Sequence, residues 1–265
     1  MSSYRVQAYN TAHSSENKVH DDAVARRLGF TGGLVPGVDV YAYMMHLPVA
    51  RWGRAFLERG AAECRFTNPV YDGETAEVTG REDAAAISME VRCRNASCAA
   101  GIACLPADAA PTPGDDFPPV DAPAAEDRPE ASAATLRVGA ILGSQPLHAS
   151  EELAGKYLAD VRETDALFAR EGLVHPGTVL RMCNLALLQS VRLGPWIHVG
   201  SKVRNLRAAR MGETLVARGR VTGNYERKGH RFVEFDALVF GTATRPVARV
   251  QHTAIYLPRQ LAVPG

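Results

Sequence analysis

The chain has 265 residues, which is enough for one large domain or two of ordinary size. Its 30 Lys and Arg and 29 Asp and Glu give a formal charge of +1 without basic blocks, which excludes an electrostatic basis for binding nucleic acid or an anionic membrane. The start of the chain lacks signal-peptide features, and no apolar run approaches about 18 residues, so a cytoplasmic protein that does not enter a membrane is expected.

The first half is predicted to contain one buried helix followed by four strands. Residues 38–47, after Gly37, are apolar nearly all round, which is typical of a buried helix, and Pro48 is expected to end it. Alternating apolar and polar residues between Gly, Asn and Asp turns then predict antiparallel strands at 62–66, 75–81, 87–94 and 97–105.

A stretch rich in Pro, Ala and acidic residues follows at 106–132. It has almost no large aliphatic side chains, so it cannot bury enough apolar surface to offset the entropy lost on ordering. We predict a flexible linker at 106–132, which separates an N-terminal half at 1–105 from a C-terminal half at 133–265.

The second half repeats the order of the first. A helix is predicted at 178–191 and strands at 197–205, 214–221, 231–240 and 246–257. The approach to Gly177 is similar to the approach to Gly37, and Met211-Gly-Glu-Thr corresponds to Asp72-Gly-Glu-Thr at nearly the same offset, as duplication of one unit would give. A central helix wrapped by an antiparallel sheet is the hotdog architecture, so we predict an α+β double hotdog. The two halves are expected to form a pseudo-dimeric monomer, and exposed sheet edges favour a further homodimer.

One motif in the first half indicates a function. Asn17, His20, Ala25 and Gly37 have the spacing found in the MaoC-like dehydratase and (R)-specific enoyl-CoA hydratase family, which this chain resembles. The family's Asp, two residues before the Asn, is replaced here by Ser15, and Pro36 stands where a His usually precedes the glycine.

The resemblance implies addition of water to an enoyl thioester, or its removal from a 3-hydroxyacyl thioester, carried by coenzyme A or acyl carrier protein. By this resemblance His20 is the general acid/base, Asn17 orients the water or the histidine, and the Gly37 amide stabilises the enolate oxygen. No cofactor is implied, and the histidines and cysteines lack metal-ligand spacing.

Ser15 leaves two other hypotheses open, because a serine hydroxyl is not a carboxylate base near neutral pH. Another acid or base has to reach the site, or the chemistry differs. Thioester hydrolysis through Asp39, on the first helical turn, is one alternative, and a non-catalytic acyl-thioester-binding subunit is the other. The candidates to replace the missing group are Glu16, Asp21, Asp22, Asp39 and His175.

The remaining candidates are predicted to bind substrate. They are Asp39, Val35, His175, Gly177, His198 and Ser201. Structural roles compete with the functional ones, since His20 and Asn17 lie where residues often cap a helix and a glycine permits close backbone packing. The polar hairpin at Arg227 and Lys228 is a further candidate, for the phosphates of coenzyme A.

Overall fold

The computed structural model describes residues 2–13, 15–108 and 117–261. Its strands are β1 (Ser2–Gln7), β2 (Ala61–Phe66), β3 (Thr75–Glu82), β4 (Ala86–Cys93), β5 (Ala96–Cys104), β6 (Ile141–Gly143), β7 (Leu147–His148), β8 (Ile197–Asn205), β9 (Thr214–Arg227), β10 (His230–Phe240) and β11 (Pro246–Leu257). Its α-helices are α1 (Asp22–Arg27), α2 (Gly37–Trp52), α3 (Arg54–Arg59), α4 (Glu151–Asp160), α5 (Leu167–Glu171) and α6 (Pro176–Ser190).

One antiparallel sheet of 11 strands joins the two halves. Ten strands run in the order β1-β3-β4-β5-β2-β8-β11-β10-β9-β6, and β7 pairs with β9 outside this path. Read outward from the β2–β8 pair, each half presents its strands in the same order. This pseudo-twofold relation is what duplication of one unit gives, and it confirms the predicted α+β architecture of two sheets that each wrap a helix.

The pattern of each strand explains its place. β3 alternates exposed and buried residues along most of its length, so one face packs on the helices and the other faces outward. The hairpin between β9 and β10 turns through Lys228 (φ 54°) and Gly229 (φ 77°). Two successive left-handed residues are the backbone that a two-residue hairpin needs, so the predicted polar turn is confirmed there.

Helices α2 and α6 form the centre of the molecule. Both are apolar on most sides, and residues such as Tyr41, Met44, Leu180 and Cys183 are at most 1 % exposed. The prediction that Pro48 ends the first of them is wrong, since α2 continues through Pro48 to Trp52. The helix tolerates the missing N–H because Leu47 and Val49 stay buried in the core, and it ends at Gly53, whose φ of 54° suits glycine.

Part of the predicted linker lies against the body of the protein. Phe117 packs with Leu238 and Phe240. The Arg128 side chain is 8 % exposed and its guanidinium lies 2.8 Å from the Glu16 carboxylate. Residues 109–116 lie outside the described residues, and the boundaries of the linker remain a prediction. In the part of the chain that the structure describes, no helix is both long and apolar enough to span a membrane.

Candidate active site

A pocket of about 290 Å³ lies where the two halves meet, near the start of β8 and the end of β2. Its walls come from the segments on either side of α1, the N-terminus of α2, residues 66–70, α6 and the one end of the β8–β11 pair where β8 begins and β11 ends. The walls are mostly apolar. The ionisable residues among the described lining are His20, His198 and His230, with no carboxylate and no Lys or Arg. The pocket therefore suits a neutral acyl group and offers histidines for proton transfer.

His20 is held in one tautomer. Its Nδ1 lies 2.6 Å from the Leu34 carbonyl oxygen, which only accepts hydrogen bonds, so Nδ1 carries the proton. Nε2 is then a lone-pair acceptor, and the Asn17 amide nitrogen lies 3.4 Å from it. Burial lowers the pKa of His20. At neutral pH His20 is thus an uncharged imidazole with its basic nitrogen beside Asn17 in the pocket wall.

Asn17 ties this histidine to the other half of the chain. Its side-chain amide donates to the Trp196 carbonyl at 3.0 Å, and its carbonyl oxygen accepts from the Trp196 N–H at 3.2 Å. The same oxygen caps the short 3₁₀ turn Lys18–His20 by accepting from Val19. Asn17 therefore combines the predicted capping role with a place in the pocket wall beside His20. Asp21, not His20, caps the helix that follows.

Ser15 contributes no atom to the described pocket lining. Its hydroxyl donates to the backbone carbonyl of Asn17 at 3.1 Å. The other acids near it in sequence are also engaged elsewhere, because Glu16 pairs with Arg128, and Asp22 accepts from the Gly33 N–H at 2.7 Å. No carboxylate near Ser15 in the sequence takes the place of the missing Asp.

Gly37 presents an unpaired amide at the start of a long buried helix. No described residue accepts its N–H, and α2 has no side-chain cap. A Cβ at this position would lie 3.0 Å from His198 Nδ1 and 3.1 Å from Phe66 Cε2, so the pocket wall closes around the α-carbon. An unpaired N–H at the positive end of a 16-residue helix is a ready donor to a carbonyl oxygen that gains negative charge.

The equivalent position in the second half is closed. The Gly177 N–H is accepted by His175 Nδ1 at 3.1 Å, and a Cβ on Gly177 would collide with the Tyr157 hydroxyl. His175 is 1 % exposed, and its Nε2 faces Glu163 at 3.4 Å. His175 and Gly177, both predicted to bind substrate, therefore lie outside the described pocket lining, whereas Val35 lies in it.

Asp39 is also absent from the described pocket lining. It is fully buried, and its carboxylate accepts from Thr11 at 2.6 Å, Tyr157 at 2.9 Å and Arg181 at 2.7 Å. Both carboxylate oxygens thus accept hydrogen bonds, and two of the three donors come from the second half. This arrangement fits a buried ion pair that holds α2 against α6.

We expect Asp39→Ala to lower the free energy of unfolding by about 3 kcal/mol, because it leaves the Arg181 guanidinium without its carboxylate. Denaturant titration measures this loss, and Glu130→Ala, which removes an exposed ion pair with Arg192, is the matched control at well under 1 kcal/mol. The rate of acyl-thioester turnover per folded Asp39→Ala molecule should stay near the native value. A stable Asp39→Ala protein without turnover would instead support thioester hydrolysis through Asp39.

His198 is the second histidine in the pocket wall, and it belongs to a buried polar chain. Its Nε2 lies 2.9 Å from the Ser201 hydroxyl, which lies 3.0 Å from Nδ1 of His252. The two rings stack with centroids 4.1 Å apart. Burial lowers the pKa of His198 to about 3 and that of His252 well below its usual value, so both stay neutral. Ser201 thus lies behind His198 and outside the described lining of this pocket.

Comparison with known proteins identifies the fold of this chain. No family model and no curated protein matches the sequence. Among solved structures, a conserved hypothetical protein from Mycobacterium tuberculosis with a double hotdog fold aligns with a TM-score of 0.63 over 96% of each chain at 16% identity. The chain has a double hotdog fold.

Two further solved structures that align over most of the chain differ in the activity that their names give. A putative MaoC domain dehydratase from Chloroflexus aurantiacus aligns with a TM-score of 0.64 at 12% identity, over 96% of this chain and 93% of that one. A putative thioesterase from Novosphingobium aromaticivorans aligns with a TM-score of 0.53 at 11% identity, over 85% of this chain and 89% of that one. At such identities the likeness shows the fold alone.

Sequence reasoning missed three residues of this double hotdog site. Trp196 and Asn184 line the pocket, and Trp196 Nε1 and Asn184 Oδ1 are buried without a hydrogen-bond partner among the described residues. His252 closes the chain behind His198. A signal existed only for His252, because alternation along β11 puts it on the same buried face as Val250 and Ala254.

Proposed function

We propose that this protein is a hydratase or dehydratase of the MaoC-like type, which adds water to a 2-enoyl thioester or removes it from a 3-hydroxyacyl thioester. The observation that carries the proposal is the pairing, in one mostly apolar pocket, of a neutral His20, whose Nε2 lone pair lies beside the Asn17 amide, and an unpaired Gly37 N–H. A proton acceptor and an oxyanion donor are the two groups that this reaction needs.

The geometry supports the following sequence of steps. The thioester carbonyl oxygen accepts the Gly37 N–H, which polarises the conjugated double bond. His20 Nε2 takes a proton from water while the water oxygen bonds to C3, and the electron pair of the C2–C3 double bond moves to the thioester oxygen as an enolate. The His20 imidazolium then returns its proton to C2, so one water is added and His20 ends neutral. Dehydration is the reverse.

Leu34 and Asn17 have positioning roles in this scheme. The Leu34 carbonyl keeps the proton on Nδ1 and stabilises the imidazolium, and Asn17 fixes the ring against the Trp196 backbone. Because the described lining of the pocket comes from both halves of one chain, this scheme draws on a single chain. Formation of a homodimer remains a prediction, as does the choice between coenzyme A and acyl carrier protein as the carrier.

The proposal is tested by incubating the purified protein with crotonyl-CoA and a longer 2-enoyl-CoA. Loss of enoyl absorbance measures hydration, and release of free thiol measures hydrolysis. We expect hydration by the native protein and a loss of about 100-fold or more in kcat for His20→Ala, the usual contribution of a general acid/base. His148→Ala removes an exposed histidine on β7 and is the matched control, with native kcat expected.

The other outcomes separate the alternative functions. Thiol release without hydration, lost in His20→Ala, would indicate a thioesterase that uses the same histidine and amide on the carbonyl carbon. Saturable binding of acyl-CoA with neither reaction would indicate a non-catalytic binding subunit. Native turnover in His20→Ala would contradict the assignment of His20.

A further inference from the structure

We propose that His198 supplies a second oxyanion donor, with its Nδ1–H bound to the thioester oxygen alongside the Gly37 N–H and its tautomer coupled to Ser201 and His252 through hydrogen bonds. This inference rests on the proposed function, since it gives a role to a second histidine of the same site. An enolate oxygen accepts more than one hydrogen bond, and the pocket lining described above contains no Lys or Arg that would otherwise stabilise its charge.

The first support is the position of His198. The ring is 7 % exposed, lies edge-on to Phe66 with centroids 4.8 Å apart, and lines the pocket. Its Nδ1 is buried with no partner among the described residues. A Cβ on Gly37 would lie 3.0 Å from this atom, so Nδ1 lies beside the α-carbon next to the free amide. An oxygen that reaches the Gly37 N–H therefore approaches Nδ1 as well.

The second support is the hydrogen-bond chain behind the ring. The Ser201 hydroxyl has one proton, so it donates to one histidine and accepts from the other. In one arrangement His252 Nδ1–H donates to Ser201, Ser201 donates to His198 Nε2, and His198 carries its proton on Nδ1. In the opposite arrangement His198 Nδ1 is a lone pair. Both keep the two rings neutral.

A bound thioester selects between these arrangements. Its carbonyl oxygen gains a hydrogen bond from Nδ1–H in the first arrangement and meets a lone pair in the second. Without ligand, no described residue accepts from Nδ1–H of His198 in the first arrangement or from Nε2–H of His252 in the second. A thioester oxygen at Nδ1 supplies a protein-bound acceptor only in the first arrangement.

The deep burial of both rings favours a neutral donor over a base. Burial lowers the pKa of His198 to about 3, so its imidazole takes up a proton poorly, yet it donates through N–H at any pH above that value. A neutral imidazole is a known electrophile toward carbonyl oxygens in enzymes whose histidine pKa is lowered in this way. The two histidines therefore have different roles, with His20 as the general acid/base and His198 as a hydrogen-bond donor to the thioester oxygen.

The inference is tested by infrared spectroscopy of bound butyryl-CoA labelled with ¹³C at the carbonyl, a saturated ligand that has no double bond to hydrate. We expect the carbonyl frequency to fall on binding to the native protein, to recover toward the free value in His198→Phe, and to stay lowered in His20→Ala. Hydration of crotonyl-CoA should show kcat reduced about 100-fold in His198→Phe with KM changed only a few-fold. His198→Gln, which keeps an N–H donor, should retain more turnover than His198→Phe.

A second measurement needs no folded Phe variant. In protein with ¹⁵N-labelled histidine, the Nδ1 resonance of His198, assigned by its loss in His198→Gln, should move to the protonated range when butyryl-CoA binds. A carbonyl frequency that is the same in native protein and His198→Phe, or an Nδ1 that stays unprotonated, would overturn the inference. A carbonyl shift that depends on His198, in a protein that hydrates no enoyl-CoA, would overturn only the hydratase proposal. Failure to bind butyryl-CoA would overturn both.

Discussion

Gly37→Ala is expected to lower turnover of an acyl thioester about 100-fold while changing the free energy of unfolding by less than about 1 kcal/mol. The added methyl group would lie 3.0 Å from His198 Nδ1 and 3.1 Å from Phe66 Cε2, where the thioester oxygen has to approach the amide. Both neighbours are side-chain atoms on the pocket wall, and a shift of a few tenths of an ångström relieves the contact, which the Phe66 ring makes more readily than the hydrogen-bonded His198 ring. Alanine is also the better helix former, which offsets part of the crowding.

Gly177→Ala is the matched control on the pseudo-symmetric helix. Its methyl group would collide with the Tyr157 hydroxyl and lie 2.9 Å from Cβ of Ala42. None of these residues belongs to the described lining of the candidate pocket. Overpacking of this kind costs about 1–3 kcal/mol of stability. Gly37→Ala should therefore lose turnover and Gly177→Ala should lose stability. Steady-state kinetics and denaturant titration together distinguish the two effects. Native turnover in Gly37→Ala would contradict an oxyanion role for this helix terminus.

Local patterns in the sequence predict the fold well. A helix without a polar face predicts a buried helix wherever it occurs, and the repeated Gly37 and Gly177 segments indicate two copies of one unit. Local sequence patterns do not predict elements whose structure is decided by tertiary packing. Pro48 reads as a helix end, but packing of the flanking Leu47 and Val49 keeps α2 intact. The short strands β6 and β7 carry too few residues for alternation to be recognised.

The candidate site is predictable only where its residues are close in sequence. The spacing of Asn17, His20 and Gly37 identifies one wall of the pocket. Partners from the second half are invisible to spacing, because β2–β8 pairing brings His198 to Gly37 across more than half of the chain. The same reason applies to Asp39, whose position on the first helical turn suggests a substrate contact until Tyr157 and Arg181 are seen to hold its carboxylate.

Acidification from pH 7 to pH 5 is expected to remove about 4 kcal/mol of unfolding free energy, a large part of what a protein of this kind possesses. Burial keeps the pKa of His198 at about 3 and that of His252 well below its usual value, while in the unfolded chain both titrate near 6.5. Below pH 6.5 these two histidines therefore bind protons in the unfolded state but stay unprotonated in the folded state. Each of these histidines then costs about 2 kcal/mol by pH 5.

The sign and the window separate this effect from ordinary acid denaturation. A histidine with a lowered pKa stabilises the fold above pH 6.5, and the stability is lost as pH falls toward the folded-state value. Carboxylates change the stability at lower pH. Although burial opposes the shift, hydrogen bonds from His175 and His46 hold the pKa of Glu163 below its usual value, so the stability it contributes is lost only below about pH 4.5. Between pH 6.5 and 5 the buried histidines dominate.

Denaturant titration at pH 7 and pH 5 measures the loss, and His252→Phe identifies its source. Phenylalanine fills the same place between His198 and Phe235 but binds no proton, and Ser201 can still donate to His198. The loss between the two pH values should shrink by about 2 kcal/mol in this variant, whatever its stability at pH 7. His148→Ala, at an exposed histidine, should leave the loss unchanged. An equal loss in native protein and His252→Phe would show that His252 is not held neutral by its burial.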